Sequence, residues 1–119
     1  MDIKKTLLLT LSLILLIGAI GCSNNTKDSL GIRGEITQII LDDGKSVTGI
    51  LVEGKVESDT VYDKARVRIA EDTVILKTTG QELSTKDLKE GMKVEVVFQG
   101  AVAESYPVQG QAKAIRVVE

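Results

Sequence analysis

The amino-acid sequence predicts a small all-β domain with one short helix, set behind a cleavable leader. Three observations carry this reading. Apolar and polar residues alternate with period two in several runs from Gly31 onward, the pattern of half-buried strands. Helix-start chemistry occurs once, at Ser84-Thr85-Lys86-Asp87. An apolar N-terminal stretch ends at the only cysteine, Cys22.

The leader has three zones. Lys4 and Lys5 give a positive start, an apolar run extends from Thr6 to Ile20, and Gly18, Ala19 and Gly21 place small residues before Cys22. Charge, apolar core and small-residue site in that order mark a signal peptide, residues 1–21. The core of about 15 residues is short for a membrane span, which needs about 20; a permanent N-terminal membrane helix is the alternative. Ala19-Ile20-Gly21-Cys22 resembles the bacterial lipobox, with Ala where Leu is usual. That resemblance implies a diacylglyceryl thioether on Cys22, often with an acyl group such as palmitate on the new N-terminal amine. A plain secretory peptide would instead leave one odd thiol. Two or three chains anchor stably, since each buried CH₂ contributes about 0.8 kcal/mol. The expected location is the extracytoplasmic face of a cell membrane.

Loss of the leader removes Lys4, Lys5 and Asp2, so 15 basic and 17 acidic residues become 13 and 16, a net charge of −3. No basic block remains, which argues against a nucleic-acid partner. About 98 residues are left, enough for one domain with one core. Residues 22–30, rich in Ser, Asn and Thr, read as a lipidated N-terminus and flexible tether. Residues 31–119 form the domain.

Within it, Ile32, Gly34 and Ile36 alternate with Arg33, Glu35 and Thr37 and continue into Ile39-Ile40-Leu41. A strand this long is expected to serve two parts of a sheet. Asp42-Asp43-Gly44-Lys45 reads as a hairpin turn in which Asp-Gly supplies positive φ. Residues 47–52 form the second strand and 54–59 a polar loop. Residues 61–70 form the third strand, with Ala65, Val67 and Ile69 on one face and Arg66 and Arg68 on the other. Glu71-Asp72 turns the chain into a short strand at 74–76. Ser84 to Asp87 has capping-box spacing with Asp in place of Glu, Leu88 faces inward, and Gly91 ends the helix as a left-handed residue. Residues 92–98 form a strand, 100–110 a loop with the only Pro, and 112–118 the last strand.

This order predicts a five-stranded OB-type β-barrel, whose helix falls between the third and fourth strands. Gly34 and Gly49 within strands suit its tight curvature. An SH3-like barrel fits the helix position less well, and an open α+β sandwich is the other alternative.

Two stretches carry a family likeness. One comprises residues 72–76 with 84–96. The other runs from 100 to 118, with Glu104-Ser105-Tyr106-Pro107-Val108-Gln109 followed by Ala112, Ala114, Ile115 and Val117. Together they resemble the YobA-like family of Firmicute lipoproteins, a domain of unknown function. The resemblance implies an OB-type barrel on a Gram-positive cell surface and brings no established activity.

No catalytic residue is expected. The chain lacks His, and with Cys22 given to lipid, neither Ser-His nor Cys-His nucleophiles can assemble. Zinc-type ligand sets fail for the same reason, and the acidic residues show no spacing that marks a hydrolytic pair. Asp42-Asp43-Gly44 and Glu57-Ser58-Asp59 offer oxygens but not the five or more that calcium needs. No cofactor or metal is expected.

Binding candidates remain. Ser105, Tyr106 and Gln109 lie in the expected loop beside the OB-type binding face. Tyr106 is either a contact residue, joining an apolar ring to a polar tip, or a plug for the barrel end. Arg66 and Arg68, with Arg33 and Arg116, fall at outward positions and could form one cationic stripe. The expected product is a non-catalytic binding module on the membrane. Its candidate partners are an envelope protein, a peptide or a glycan. A structural subunit of an envelope complex is the alternative, and a small carboxylate hydrolase a distant third.

Overall fold

The computed structural model describes residues 30–118. The leader, Cys22 and residues 23–29 of the expected tether lie outside the described residues, as does residue 119. Leu30, expected to close the tether, instead opens the first strand.

Six strands and one 3₁₀ turn follow in the order β1 (Leu30–Leu41), β2 (Val47–Glu53), β3 (Lys64–Arg68), β4 (Val74–Lys77), the turn (Thr85–Asp87), β5 (Lys93–Ala103) and β6 (Val108–Val118). The all-β expectation holds. Neighbours run β3-β2-β1-β5-β6, and a parallel β3–β6 pairing closes these five strands into a ring. The short β4 follows β3 along β6, also in parallel. Its far side is met by the returning chain, where Leu83 N–H donates to Ile75 O at 2.8 Å and Lys77 N–H to Gln81 O at 2.8 Å.

The first strand serves two partners, as its length implied. Residues 30–35 pair with β5 and residues 35–41 with β2. A register shift between Ile36 and Gln38 inserts one residue, which re-aims the strand. It brings Ile39, three positions after the fully buried Ile36, back against the core. The bend there needs close backbone approach. A Cβ on Gly34 would run into the carbonyl of Glu53 and stand 2.8 Å from Gly54 N.

Inward positions of every strand fill the ring: Ile32, Ile36, Ile50, Val52, Ala65, Val67, Ile75, Val94, Val96, Ala112, Ile115 and Val117, with Leu88 from the segment after the 3₁₀ turn. Fully burying each large aliphatic chain contributes about 1.5–3 kcal/mol, so the core needs no covalent staple. Phe98 closes one end. Its ring lies edge-on to Tyr62 at 5.8 Å, between Gly31 and Gly110, and a Cβ on Gly110 would come within 2.8 Å of it.

Several expectations need correction. The third strand is Lys64–Arg68, not residues 61–70, because the N–H groups of Val61 and Tyr62 both donate to Gly31 O. In the first hairpin the left-handed residue is Lys45, at φ 62°, and not Gly44. Lys45 N–H donates to Asp42 O, and Ser46 N–H to the Asp42 side chain at 2.9 Å. The helix is a single 3₁₀ turn in which Ser84 N–H donates to Asp87 Oδ2 at 2.8 Å. Gly91 does adopt positive φ, 90°. It lies beyond that turn, however, and joins the next strand to β1 through a 2.8 Å bond to Ile36 O.

The largest correction concerns residues 100–110. They are mostly strand: β5 continues to Ala103, β6 begins at Val108, and only residues 104–107 turn. From Gln99 to Ala103 the chain takes four steps while β6 takes two, Gln111 to Gln109. The surplus bulges at Gly100, whose φ of 73° a residue with a Cβ adopts only at a cost. The result is a bent two-stranded arm. Among the described residues no helix is long and apolar enough to cross a membrane.

Candidate functional site

The outward face of β3 alternates with its buried face, so Arg66 and Arg68 point away from Ala65 and Val67. Parallel pairing with β6 sets Arg66 beside Gln109 and Arg68 beside Gln111. Antiparallel pairing then sets Gln111 beside Gln99 and Gln109 beside Ala103 on β5. Three strands therefore bring two guanidiniums and three carboxamides onto one surface. The bent β5–β6 arm rises along one side, and Ile40, Thr48 and Gly49 along the other.

These elements enclose a cleft of about 690 Å³, also lined by Val67, Ala101, Ala103 and Gly110. Small side chains leave its floor low, and the only charged groups lining it are Arg66 and Arg68. Arg68 Nη2 donates to Gln111 Oε1 at 3.2 Å, and Gln111 Nε2 reaches Gln99 Oε1 at 3.4 Å and Asp72 Oδ1 at 3.5 Å. These contacts hold the Gln111 amide across the cleft. The Arg66 side chain is exposed and makes no hydrogen bond or ion pair with a described residue. Guanidinium keeps its charge at any physiological pH and offers five donors in a planar fork. The surface is thus a positive, donor-rich island in a chain of net charge −2.

The structure therefore gathers Arg66, Arg68 and Gln109 into one cleft. Ser105 stands just outside it. Its hydroxyl donates to Pro107 O at 2.8 Å and accepts from Gln109 Nε2 at 3.4 Å, fixing that amide from behind. Tyr106, at the tip of the arm, is 72 % exposed, and its hydroxyl donates to Asp63 Oδ2 at 3.3 Å. It does not line the cleft, and it is no plug; Phe98 and Tyr62 fill that role. Gln99 and Gln111 were not expected as site residues. A period-two reading through residues 97–111 would have given both an outward face, but not their place beside Arg68.

The expected single cationic stripe is two separate features. Arg33 and Arg116 converge on Glu95, at 2.7 and 3.2 Å. Arg33 also bonds Glu57 at 2.8 Å and grips Asp59 through both carboxylate oxygens, at 3.1 and 2.8 Å. The hydrogen bonds it donates to Asp59, then to Glu95, hold the Arg33 proton more tightly, and Arg33 in turn holds the Asp59 carboxyl below its ordinary range. The network pins the loop after β2 to β1 and β5. It borders a smaller hollow of about 340 Å³ on the outer face of β1, β5 and β6.

Two other arrangements bear on function. The strongly exposed large apolar side chains, Leu41, Val56, Val61, Val74 and Tyr106, are distributed over β1, the β2–β3 loop, β4 and the arm. Among the described residues no three His, Cys, Asp or Glu side chains converge as metal ligands.

The matching family model is described as a protein of unknown function (DUF3221) and covers residues 39–119. This chain belongs to the DUF3221 family. The matched segment runs from the second half of β1 to the C-terminus and contains every residue lining the larger cleft, whereas Arg33 precedes it. Neither a curated protein nor a solved structure matches the chain.

Proposed function

We propose that this DUF3221 protein is a lipid-anchored extracytoplasmic binding module, without catalytic activity, that captures its ligand in the cleft over β3 and β6. The observation that carries the reading is Arg66, charged, exposed and unpartnered among the described residues, in a concave surface whose other polar groups are already oriented. Preformed concavity with a few convergent polar groups is the usual form of a binding site.

The ring is best read as OB-type. In that fold the face over strands two and three, flanked by the first and fourth loops, is the usual binding surface. Here β2, β3 and the arm bound the cleft, β4 is an added strand, and the lone 3₁₀ turn precedes β5. The lipobox-like residues ending at Cys22 support the membrane anchor, and the likeness to YobA-like Firmicute lipoproteins supports a Gram-positive envelope. An accessory-subunit role would favour one contiguous apolar patch, and the scattered exposed side chains give that reading less support.

Two measurements test the proposal. Cys22→Ala should leave an uncleaved precursor or release the protein to the medium; normal processing with unchanged membrane attachment would sink the anchor. A photo-crosslinking residue placed at Ala101, on the cleft wall, should trap adducts in cells that the same residue at the exposed Lys86 does not. Identical adduct patterns from both positions would remove the cleft as the binding site.

A further inference from the structure

We infer that the cleft takes an extended acidic peptide, with carboxylates at alternate positions meeting Arg66 and Arg68 and its main chain meeting the glutamines. The inference rests on the reading of the cleft as the binding site and names the class of ligand that it fits.

Pitch is the first argument. Arg66 and Arg68 are two residues apart on one strand, so their side chains leave the same face about 6.6 Å apart. An extended peptide alternates with the same period, so acidic side chains at every second position stand at the same spacing. Such a peptide lying along β3 presents one carboxylate to each guanidinium, a pairing in which Arg can bond both oxygens.

Charge count is the second. The cleft has two cations and no anion in its lining. A polyanion charged at every repeat would call for a longer cationic track, whereas the remaining polar lining is neutral: Gln99, Gln109, Gln111 and Thr48. Carboxamides carry both donors and an acceptor, which complements the N–H and C=O groups of a peptide main chain. The short side chains of Gly49, Ala101 and Ala103 along its sides leave room for that main chain to approach.

The third argument is the missing stacking platform. Sequence-tolerant binding of nucleic-acid bases uses aromatic faces, and no aromatic side chain lines this cleft. The exposed ring of Tyr106 stands at the arm's tip, tied to Asp63.

Chemical-shift mapping on the full-length chain in zwitterionic detergent tests this. The probe is an acetylated, amidated pentapeptide with glutamate at its second and fourth positions and serine elsewhere. It should shift amides of residues 66–68, 99–103 and 109–111, and added salt should weaken it. The glutamine version of the peptide should leave those amides unmoved. Arg66→Gln with Arg68→Gln should weaken binding about tenfold or more, since each removes a charge-assisted bond. Both side chains are exposed, and unchanged shifts elsewhere will verify that the double variant is folded. If inorganic tripolyphosphate binds the cleft and the peptide does not, the ligand class is wrong although the cleft remains the site. If the peptide shifts only residues outside the cleft, the site itself is wrong. If glutamate and glutamine peptides shift the cleft equally, the role of the arginines is refuted. If neither probe shifts any amide, the acidic-peptide inference falls, and the Ala101 cross-link alone decides the cleft.

Discussion

Gly34→Ala should be among the most damaging single-methyl additions in this chain. A Cβ at position 34 would meet main-chain atoms, the Glu53 carbonyl and, at 2.8 Å, the Gly54 nitrogen. Main chain cannot rotate away as a side chain can, so the β1 bend and the end of β2 must separate. Overpacking of this kind costs about 1–3 kcal/mol, and the obstruction by backbone places Gly34→Ala near 2 kcal/mol or above. For a domain of this size each kcal/mol lowers Tm by about 4–8 °C, so the variant should melt roughly 10 °C below the parent. Gly44→Ala is the matched control. Its Cβ meets only the Asp42 side chain, at 3.4 Å, and the change should stay within about 0.5 kcal/mol. Thermal melts followed by far-UV circular dichroism measure both. If Gly34→Ala melts within two or three degrees of Gly44→Ala, the close crossing does not exist and the account of ring curvature is wrong.

Two further outcomes follow from geometry. Lys45→Gly removes a non-glycine residue from φ 62°; after the extra unfolded-state freedom of glycine is subtracted, the gain should be about 0.5 kcal/mol, or 2–4 °C in Tm, and a lower Tm would show that the turn does not have this form. Because Arg33 favours the ionised form of Asp59 and so lowers its folded-state pKa, the stability from that contact is present above the unfolded value of about 3.9 and is lost as pH falls through the lower folded value. Hydrogen exchange should show residues 57–60 losing protection at acid pH before the core does, and Arg33→Gln should lower that protection already at neutral pH; identical acid profiles in parent and variant would refute the pinning.

Period-two alternation made much of the ring readable from sequence. Val94 and Val96, or Ala65 and Val67, could be assigned inward faces because side-chain direction in a strand is a local property. The length of β1 correctly implied two partners. The arm at residues 99–109 was hidden because Gly100, Ala101 and Ala103 lack strand propensity and Ser105 and Pro107 mark its turn; cross-hairpin pairing holds its two strands extended instead. Lys45 was hidden because the turn carries a glycine one residue earlier. For the cleft, the outward direction of Arg66 and Arg68 was legible, but not their neighbours. Only the parallel register of β3 on β6 brings Gln109 and Gln111 beside them and leaves Arg33 and Arg116 to Glu95. That register joins distant segments, and no local pattern encodes it.

The same parallel pairing has a kinetic meaning. The β1–β2, β2–β3 and β5–β6 ladders join segments that are neighbours in the chain and can form early, as local loops close cheaply. The seam between β3 and β6 joins partners such as Arg68 and Gln111, 43 positions apart, and contacts of that kind are slow to form. Arg66, Arg68, Gln109 and Gln111 all stand along the seam. The cleft is therefore complete only once that seam has formed, and a chain whose hairpins had formed while the seam stayed open would have strands but no site.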